Sequence, residues 1–205
     1  MNADFNNINQ VFSTITNRRS VRNFSGKDVS DEDVDKILYA ANLAPSAHNQ
    51  QSWRFIVIRG EMKRKLAAFV SSRANEFPKP SSTLLRMASR SIISAPAVIA
   101  VANTAELIEH GTGLFNISPD KAYDFFRTME IQSSAAAVEN MLLAATSLGI
   151  ASVWLGILYL VKDDVLEFLG EKKGEFMAVI PIGYPDTTNK GPKKRTLDKI
   201  VRKLD

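Results

Sequence analysis

The chain has 205 residues, of which 45% are hydrophobic, and a formal net charge of +4, which fits one domain with a substantial core. It contains no cysteine. This excludes disulfides, thiolate nucleophiles and cysteine-ligated zinc or iron–sulfur centres, and it is compatible with a reducing cytoplasm, the expected location. No apolar run reaches the roughly 18 residues of a membrane span, and residues 1–10 lack the apolar stretch of a secretory signal.

In chain order, the first clear helix follows Ser30. Ser30 and Asp33 have the spacing of a capping box, Asp31, Glu32 and Asp33 suit the helix dipole, and Val34, Ile37, Leu38 and Ala41 repeat at helical spacing. This helix should end near Ala44, because Pro45 restricts the residue before it. Residues 45–52 form a polar loop that feeds a strand over Trp53–Ile58, rich in aromatic and β-branched residues. Glu61 to Asn75 reads as an amphipathic helix and Phe77 to Thr83, with two prolines, as a loop. Residues 97–102 are too uniformly apolar to alternate and predict a strand buried on both faces. Residues 104–118 read as irregular, a candidate flap. A long helix is predicted over 121–148, rich in small residues that permit close helix packing, with Gly149 as its stop. A strand over 150–155, a short helix over 162–169 closed by Gly170, and a strand over 176–182 complete the order. That pattern predicts helices layered on a central sheet in a single domain, with no linker or internal repeat.

Charge is concentrated at the two ends. Arg18, Arg19, Ser20 and Arg22 form a fork of donors suited to a phosphate, although an arginine run alone is also the ordinary make-up of a solvated surface. From Lys190 to Asp205 there are seven basic and two acidic residues, which accounts for the whole positive excess. A nucleic-acid binder would spread a basic stripe with interleaved aromatics over a folded face, so two compact clusters argue for a small anionic ligand instead. Leu197, Ile200, Val201 and Leu204 suggest that the tail docks. The chain has no phosphate loop and no Gly-x-Gly-x-x-Gly after a strand. Its only histidines, His48 and His110, are far apart and offer little material for a metal site or triad. If the protein is an enzyme, a cofactor carries the reaction.

Four segments resemble motifs of the FMN-dependent nitroreductase family, in the family's order. They are Arg18-Arg-Ser-Val-Arg-Asn-Phe24; Ala44-Pro-Ser-Ala-His-Asn-Gln-Gln-Ser-Trp-Arg-Phe55; the stretch 136–157, with Glu139-Asn-Met-Leu-Leu-Ala-Ala145 and Gly149-Ile-Ala-Ser-Val-Trp-Leu-Gly156; and Ile182-Gly-Tyr-Pro185 followed by Lys193-Lys-Arg195. The resemblance spans roughly residues 13–203. It implies an α+β fold: a three-layer α/β/α sandwich with a mixed, mainly antiparallel sheet and a C-terminal arm (about 190–205) reaching a partner subunit. It also implies a homodimer with FMN at the interface and NADH or NADPH as co-substrate. Hydride would pass to a small-molecule acceptor such as a nitroaromatic or quinone.

Carried over by residue, the resemblance implies that Arg18 and Ser20 hold the FMN phosphate, with Arg19 contributing largely through its backbone, while Arg22 approaches the N1/O2 edge of the ring. Pro45, Ser46, Ala47 and Asn49 would contact the flavin of the partner subunit. Trp154, Leu155 and Gly156 would run under the ring, with the Gly156 amide facing N5 and Ile157 near O4. Lys193 and Arg195 would return to the phosphate. Mid-chain contacts to the pyrimidine edge fall somewhere in 75–92, where Arg86 and Arg90 are candidates. A Trp-x-Gly strand end sets this chain apart from relatives with an acidic residue at that point. The chemistry is consistent with these roles: a phosphomonoester carries about −1.5 to −2 charges near neutral pH and needs several converging cations. A fixed guanidinium beside N1 favours the reduced ring. Other readings stay open: a dehalogenase, an ene-type reductase or a flavin-destroying enzyme on the same fold, a non-catalytic flavin sensor, or a basic nucleic-acid module.

Overall fold

The computed structural model describes residues 9–115, 117–171, 173–187 and 191–204. Residues 1–8, Asn116, Lys190 and Asp205, which entered the sequence reading, lie outside them. The organising element is a strand with no solvent face. β2 (Ala97–Asn103) is buried at all seven positions and pairs on one side with β1 (Trp53–Ile58) and on the other with β4 (Phe176–Gly183), both antiparallel. The short strand β3 (Ala151–Ser152) pairs antiparallel with β4, giving the order β1-β2-β4-β3. A parallel bridge of Ser20 to Ser152 extends the sheet beyond β3, so the sheet is mixed and mainly antiparallel, as expected.

Alternate residues of β2 point to opposite faces, and each face is covered by a helical layer. Val98, Ala100 and Ala102 pack with Leu66 and Val70 of α3 (Gly60–Arg73) and Leu85, Ala88 and Ile92 of α4 (Ser81–Ser94). Ala97, Ile99 and Val101 pack with Val34, Ile37 and Ala41 of α2 (Asp31–Asn42) and Val138, Met141 and Ala145 of α6 (Pro119–Ser147). The three-layer sandwich is thus present. α1 (Gln10–Asn17), α5 (Glu106–Thr112) and α7 (Lys162–Leu169) complete the α-helices of the described residues.

Local signals account for most boundaries. The Ser30 hydroxyl accepts the Asp33 N–H at 3.1 Å, so the predicted cap starts α2. α6 opens on Pro119 and runs without a break. It ends where Gly149 adopts φ +73 and Ile150 N–H donates to the Ala145 carbonyl at 2.9 Å, a left-handed cap that favours glycine.

Three expectations need correction. Residues 104–118 are not irregular: they contain α5, docked on α6 through Leu107, Ala122 and Phe126. The strand expected over 150–155 is only two residues long. Val153 and Leu155 still donate to Pro181 and Val179 carbonyls at 3.3 and 3.0 Å, but the chain then enters a 3-10 turn over Gly156–Val161. Finally, α4 has no counterpart in the sequence reading. Its buried face includes Ser82, Ala88 and Ser91 beside Leu85 and Ile92, so serine and alanine diluted the apolar period.

One buried charge stands out. Glu130 of α6 is 1% exposed, and its carboxylate accepts the Leu107 N–H at 2.9 Å. Burial raises its pKa above the ordinary glutamate value, and hydrogen bonds from backbone groups offset only part of that rise. The folded state therefore holds this proton more tightly than the unfolded chain does. The resulting stability is full below the unfolded glutamate value and is lost as pH rises through the folded one. Glu130→Gln removes this dependence: denaturant unfolding between about pH 4 and about pH 8 should show a shallower decline for the variant. Parallel profiles for variant and parent would contradict the assignment.

Candidate functional site

The site is assembled where the N-terminal arginine segment meets β3. Val21 N–H donates to the Ser152 carbonyl at 3.0 Å, and Ser25 N–H to that of Tyr184 at 2.8 Å. Phe24 bridges Pro185 and is buried in the first core cluster. These backbone bonds and this anchored ring hold residues 18–24 against the end of the sheet.

Beside the bridge lies an open cleft of about 140 Å³. It is lined by Arg22, by Val153, Trp154, Leu155, Gly156 and Ile157, and by one face of α4, where Leu84, Met87, Ala88 and Ser91 follow the 3-4 spacing of a helix stripe. Arg22 and residues 154–157, far apart in the chain, are therefore brought together. Gly156 is exposed, and nothing lies within 4 Å of the place its Cβ would occupy, so a planar ligand can approach its main chain closely. The Ser152 hydroxyl is buried with no hydrogen-bond partner among the described residues. Position 22 is held through its carbonyl, which accepts from Ser94 Oγ at 3.5 Å, and its guanidinium reaches the Ser20 carbonyl at 3.4 Å.

The other arginines divide in use. Arg18 has a distant ion pair with exposed Glu139 of α6, 3.9 Å away, a weak contact in water. The Arg19 guanidinium donates to the Thr16 and Arg18 carbonyls at 2.5 and 2.8 Å, so it is spent on its own turn. The C-terminal segment returns here: a Cβ on Gly191 would sit 2.6 Å from Arg19 Nε. Lys193 and Arg195, two and four residues further on, are exposed.

Not every expected residue joins the cleft. Pro45, Ser46, Ala47 and Asn49 do not line it. They lie on a loop seated on α5 and α6, where Ala47 N–H donates to Ser133 Oγ at 3.1 Å and Ala47 packs against the cluster of Leu107, Ala122 and Phe126. That loop has a strained backbone, with His48, Asn49 and Gln51 at φ +53, +52 and +52. Gln51 N–H donates to Ser46 Oγ and its side chain to Asn49 Oδ1, at 3.1 and 3.0 Å. Arg86 and Arg90 do not line the cleft, and the Arg86 guanidinium donates to Asn75 Oδ1 at 2.8 Å. Their positions fall beside the stripe of α4 that does line it. Leu85, Ala88 and Ile92 at helical spacing were the signal that could have located this wall.

Among the described residues no group of His, Asp and Glu is arranged to hold a metal ion, and no helix is long and apolar enough to cross a membrane. Comparison with known proteins agrees with the architecture. The chain is 35% identical over 184 residues to a protein of Archaeoglobus fulgidus that carries the provisional name NADH dehydrogenase/NAD(P)H nitroreductase, with 87% of each chain covered. It is 32% identical over 181 residues to a Methanothermobacter thermautotrophicus protein of the same provisional name, covering 85% of this chain and 77% of that one. A solved structure from Desulfovibrio desulfuricans, provisionally named a nitroreductase and crystallised in complex with FMN, superposes with a TM-score of 0.73 at 27% identity over 96% of this chain and 98% of that one. The model of the Nitroreductase family matches residues 15–184, and the chain belongs to that family.

Proposed function

We propose that the protein is an NAD(P)H-dependent FMN oxidoreductase that works as a homodimer. The observation that carries this reading is the convergence of Arg22 with the Trp154–Ile157 main chain in one open cleft, next to Arg18 and Ser20. The residues fit the cofactor. Arg18 and Ser20 would hold the phosphate, with Lys193 and Arg195 on the arm that passes Arg19. The Arg19 side chain is occupied, leaving its backbone to contribute. Trp154, Leu155, Gly156 and Ile157 would line the ring, with Gly156 leaving room for close approach, and Arg22 would face its N1/O2 edge. FMN held there would supply two-electron hydride chemistry between NADH or NADPH and an acceptor such as a nitroaromatic or quinone. The chain's own task is to bind, orient and electrostatically tune the ring. No side chain is required as nucleophile.

Two features support the dimer. The Pro45–Asn49 motif lies outside the chain's own cleft with Pro45 and Asn49 exposed, as it should be if it completes the cleft of a partner. The arm presents Leu197, Ile200, Val201 and Leu204 to solvent, each more than half exposed, and apolar surface of that kind favours a partner. β1 offers a seat: it is the edge strand of the sheet, bordered by a mostly apolar groove of about 310 Å³ lined by Ile56, Val57, Ile58, Met62, Phe168 and Leu169 together with Arg59. We propose that the arm of a second copy covers this edge, since an uncovered edge strand invites pairing.

The purified protein should show flavin absorbance, or gain it on adding FMN, and lose it on anaerobic titration with NADH or NADPH. Protein that neither binds FMN nor reduces it would overturn the proposal. Arg18→Ala should weaken FMN binding by about tenfold or more through loss of charge-assisted hydrogen bonds. Arg22→Ala should mainly lower the flavin's two-electron potential, by about 30 mV or more. Equal losses of affinity with unchanged potentials would remove that division of roles. Deleting residues 191–205 should shift the protein toward monomer in analytical ultracentrifugation and weaken FMN retention. An unchanged dimer after deletion would show that the arm is not part of the interface.

A further inference from the structure

Helix α5 begins in an unusual way. Its N-cap position is Ala105, in the left-handed region at φ +64, and alanine has no side-chain group to satisfy the free N–H groups of a first helical turn. The acceptor comes instead from another helix: Glu130 of α6, buried, takes the Leu107 N–H at 2.9 Å, and the Ala105 and Ile108 N–H groups also face it. One helical turn away the two helices touch again. A Cβ on Gly111 would run into the Phe126 ring, so only glycine admits this approach. Leu107 and Gly111 on α5 thus meet Glu130 and Phe126 on α6, two pairs each spaced by four residues and therefore stacked on one face.

The platform so formed carries the second motif. Ala47 packs against the cluster of Leu107, Ala122 and Phe126, and the His48 ring lies edge-on to Phe126 with centroids 6.4 Å apart. Ser133, nearly one turn beyond Glu130, accepts the Ala47 N–H and donates to the Met129 carbonyl at 2.7 Å. Ser52, which follows the loop, is 3% exposed and neighbours Glu130, and its carbonyl accepts the Thr104 N–H at 3.2 Å. The three left-handed residues His48, Asn49 and Gln51 therefore lie between two anchors, Ala47, held by Ser133 of α6, and Ser52, whose carbonyl is held by Thr104 just ahead of α5. Strained backbone of this kind persists only where surrounding contacts over-determine it.

We infer that Glu130 is a positioning residue for the cofactor site: by capping α5 from α6 it fixes the platform that holds the 45–51 loop in its left-handed conformation. The link to flavin rests on the proposed function, in which this loop meets the FMN of the partner subunit. The link between Glu130 and the loop does not. Glutamine retains an oxygen that can accept the Leu107 N–H, whereas alanine leaves that N–H buried and unpaired.

The test uses the full chain and three variants, Glu130→Ala, Glu130→Gln and Ser133→Ala. Amide hydrogen exchange is followed residue by residue by NMR without FMN, and FMN affinity by quenching of flavin fluorescence. Glu130→Ala should raise exchange at Leu107 and at Ala47 by about tenfold and weaken FMN binding by about tenfold, with β2 and β4 amides unchanged. Glu130→Gln should restore both readings to within about threefold of the parent. Ser133→Ala should loosen Ala47 and weaken FMN binding while Leu107 stays protected. The inference is overturned if Glu130→Ala leaves Leu107 protected, or frees Leu107 without changing Ala47. It is also overturned if Glu130→Gln behaves like the alanine variant. Should Glu130→Ala fail to fold, unchanged Ala47 exchange in Ser133→Ala decides against it. A parent protein that binds no FMN overturns the proposed function alone, since the exchange data still judge the coupling of Glu130 to the loop.

Discussion

Burial of β2 on both faces is the constraint from which the placement of the site follows. A strand without a solvent side requires an apolar layer above and below, and the two layers here are α3 with α4 and α2 with α6. Each layer contributes something different to the chemistry. α4 turns the stripe of Leu84, Met87, Ala88 and Ser91, which borders its buried face, toward the end of the sheet and walls the cleft. α6 carries Glu139 near Arg18 and, further toward its start, the platform under the 45–51 loop. The long helix therefore touches both halves of the proposed cofactor site without lining the cleft itself.

Residues 18–24 and 151–157 illustrate how modest forces give a defined arrangement. No strong ion pair holds the arginine segment; backbone hydrogen bonds to Ser152 and Tyr184 and the burial of Phe24 do so. That leaves Arg18 and Arg22 with little internal demand on their charge, in contrast with Arg19, whose guanidinium is absorbed by two carbonyls of its own turn. Cations positioned by the main chain but not neutralised by a close carboxylate are suited to an anionic ligand. The open space over Gly156 complements them, since a ring can rest on main chain there.

The strained loop and the exposed arm follow from the same economy of parts. A single copy places the Pro45–Asn49 motif on a surface away from its own cleft and leaves the arm's apolar residues in water. Both become intelligible if a second copy brings its loop to the cleft and covers β1. Glu130 then connects the monomer's interior to this outward-facing loop, since the same few turns of α6 cap α5 and anchor Ala47.

Much was legible in the residues themselves. Wherever a signal is local, it was sufficient: the Ser30 cap, the uniformly apolar run of β2 and the Gly149 stop depend on neighbours within a turn or a strand. Readings that failed depended on partners distant in the chain. α4 hid its period behind buried serines and alanines whose environment only packing supplies. α5 lacks a capping side chain of its own and borrows Glu130, twenty-three residues downstream of Leu107. The short β3 ends because the chain must turn at Gly156, although Val153 and Leu155 keep their bonds to β4. Sequence by itself thus determined the sandwich and the chemical identity of the cofactor-site candidates. Only the tertiary structure decided that Arg22 meets residues 154–157 and that Arg86, Arg90 and the 45–49 motif do not line the cleft they form, because sheet pairing and helix packing set those distances.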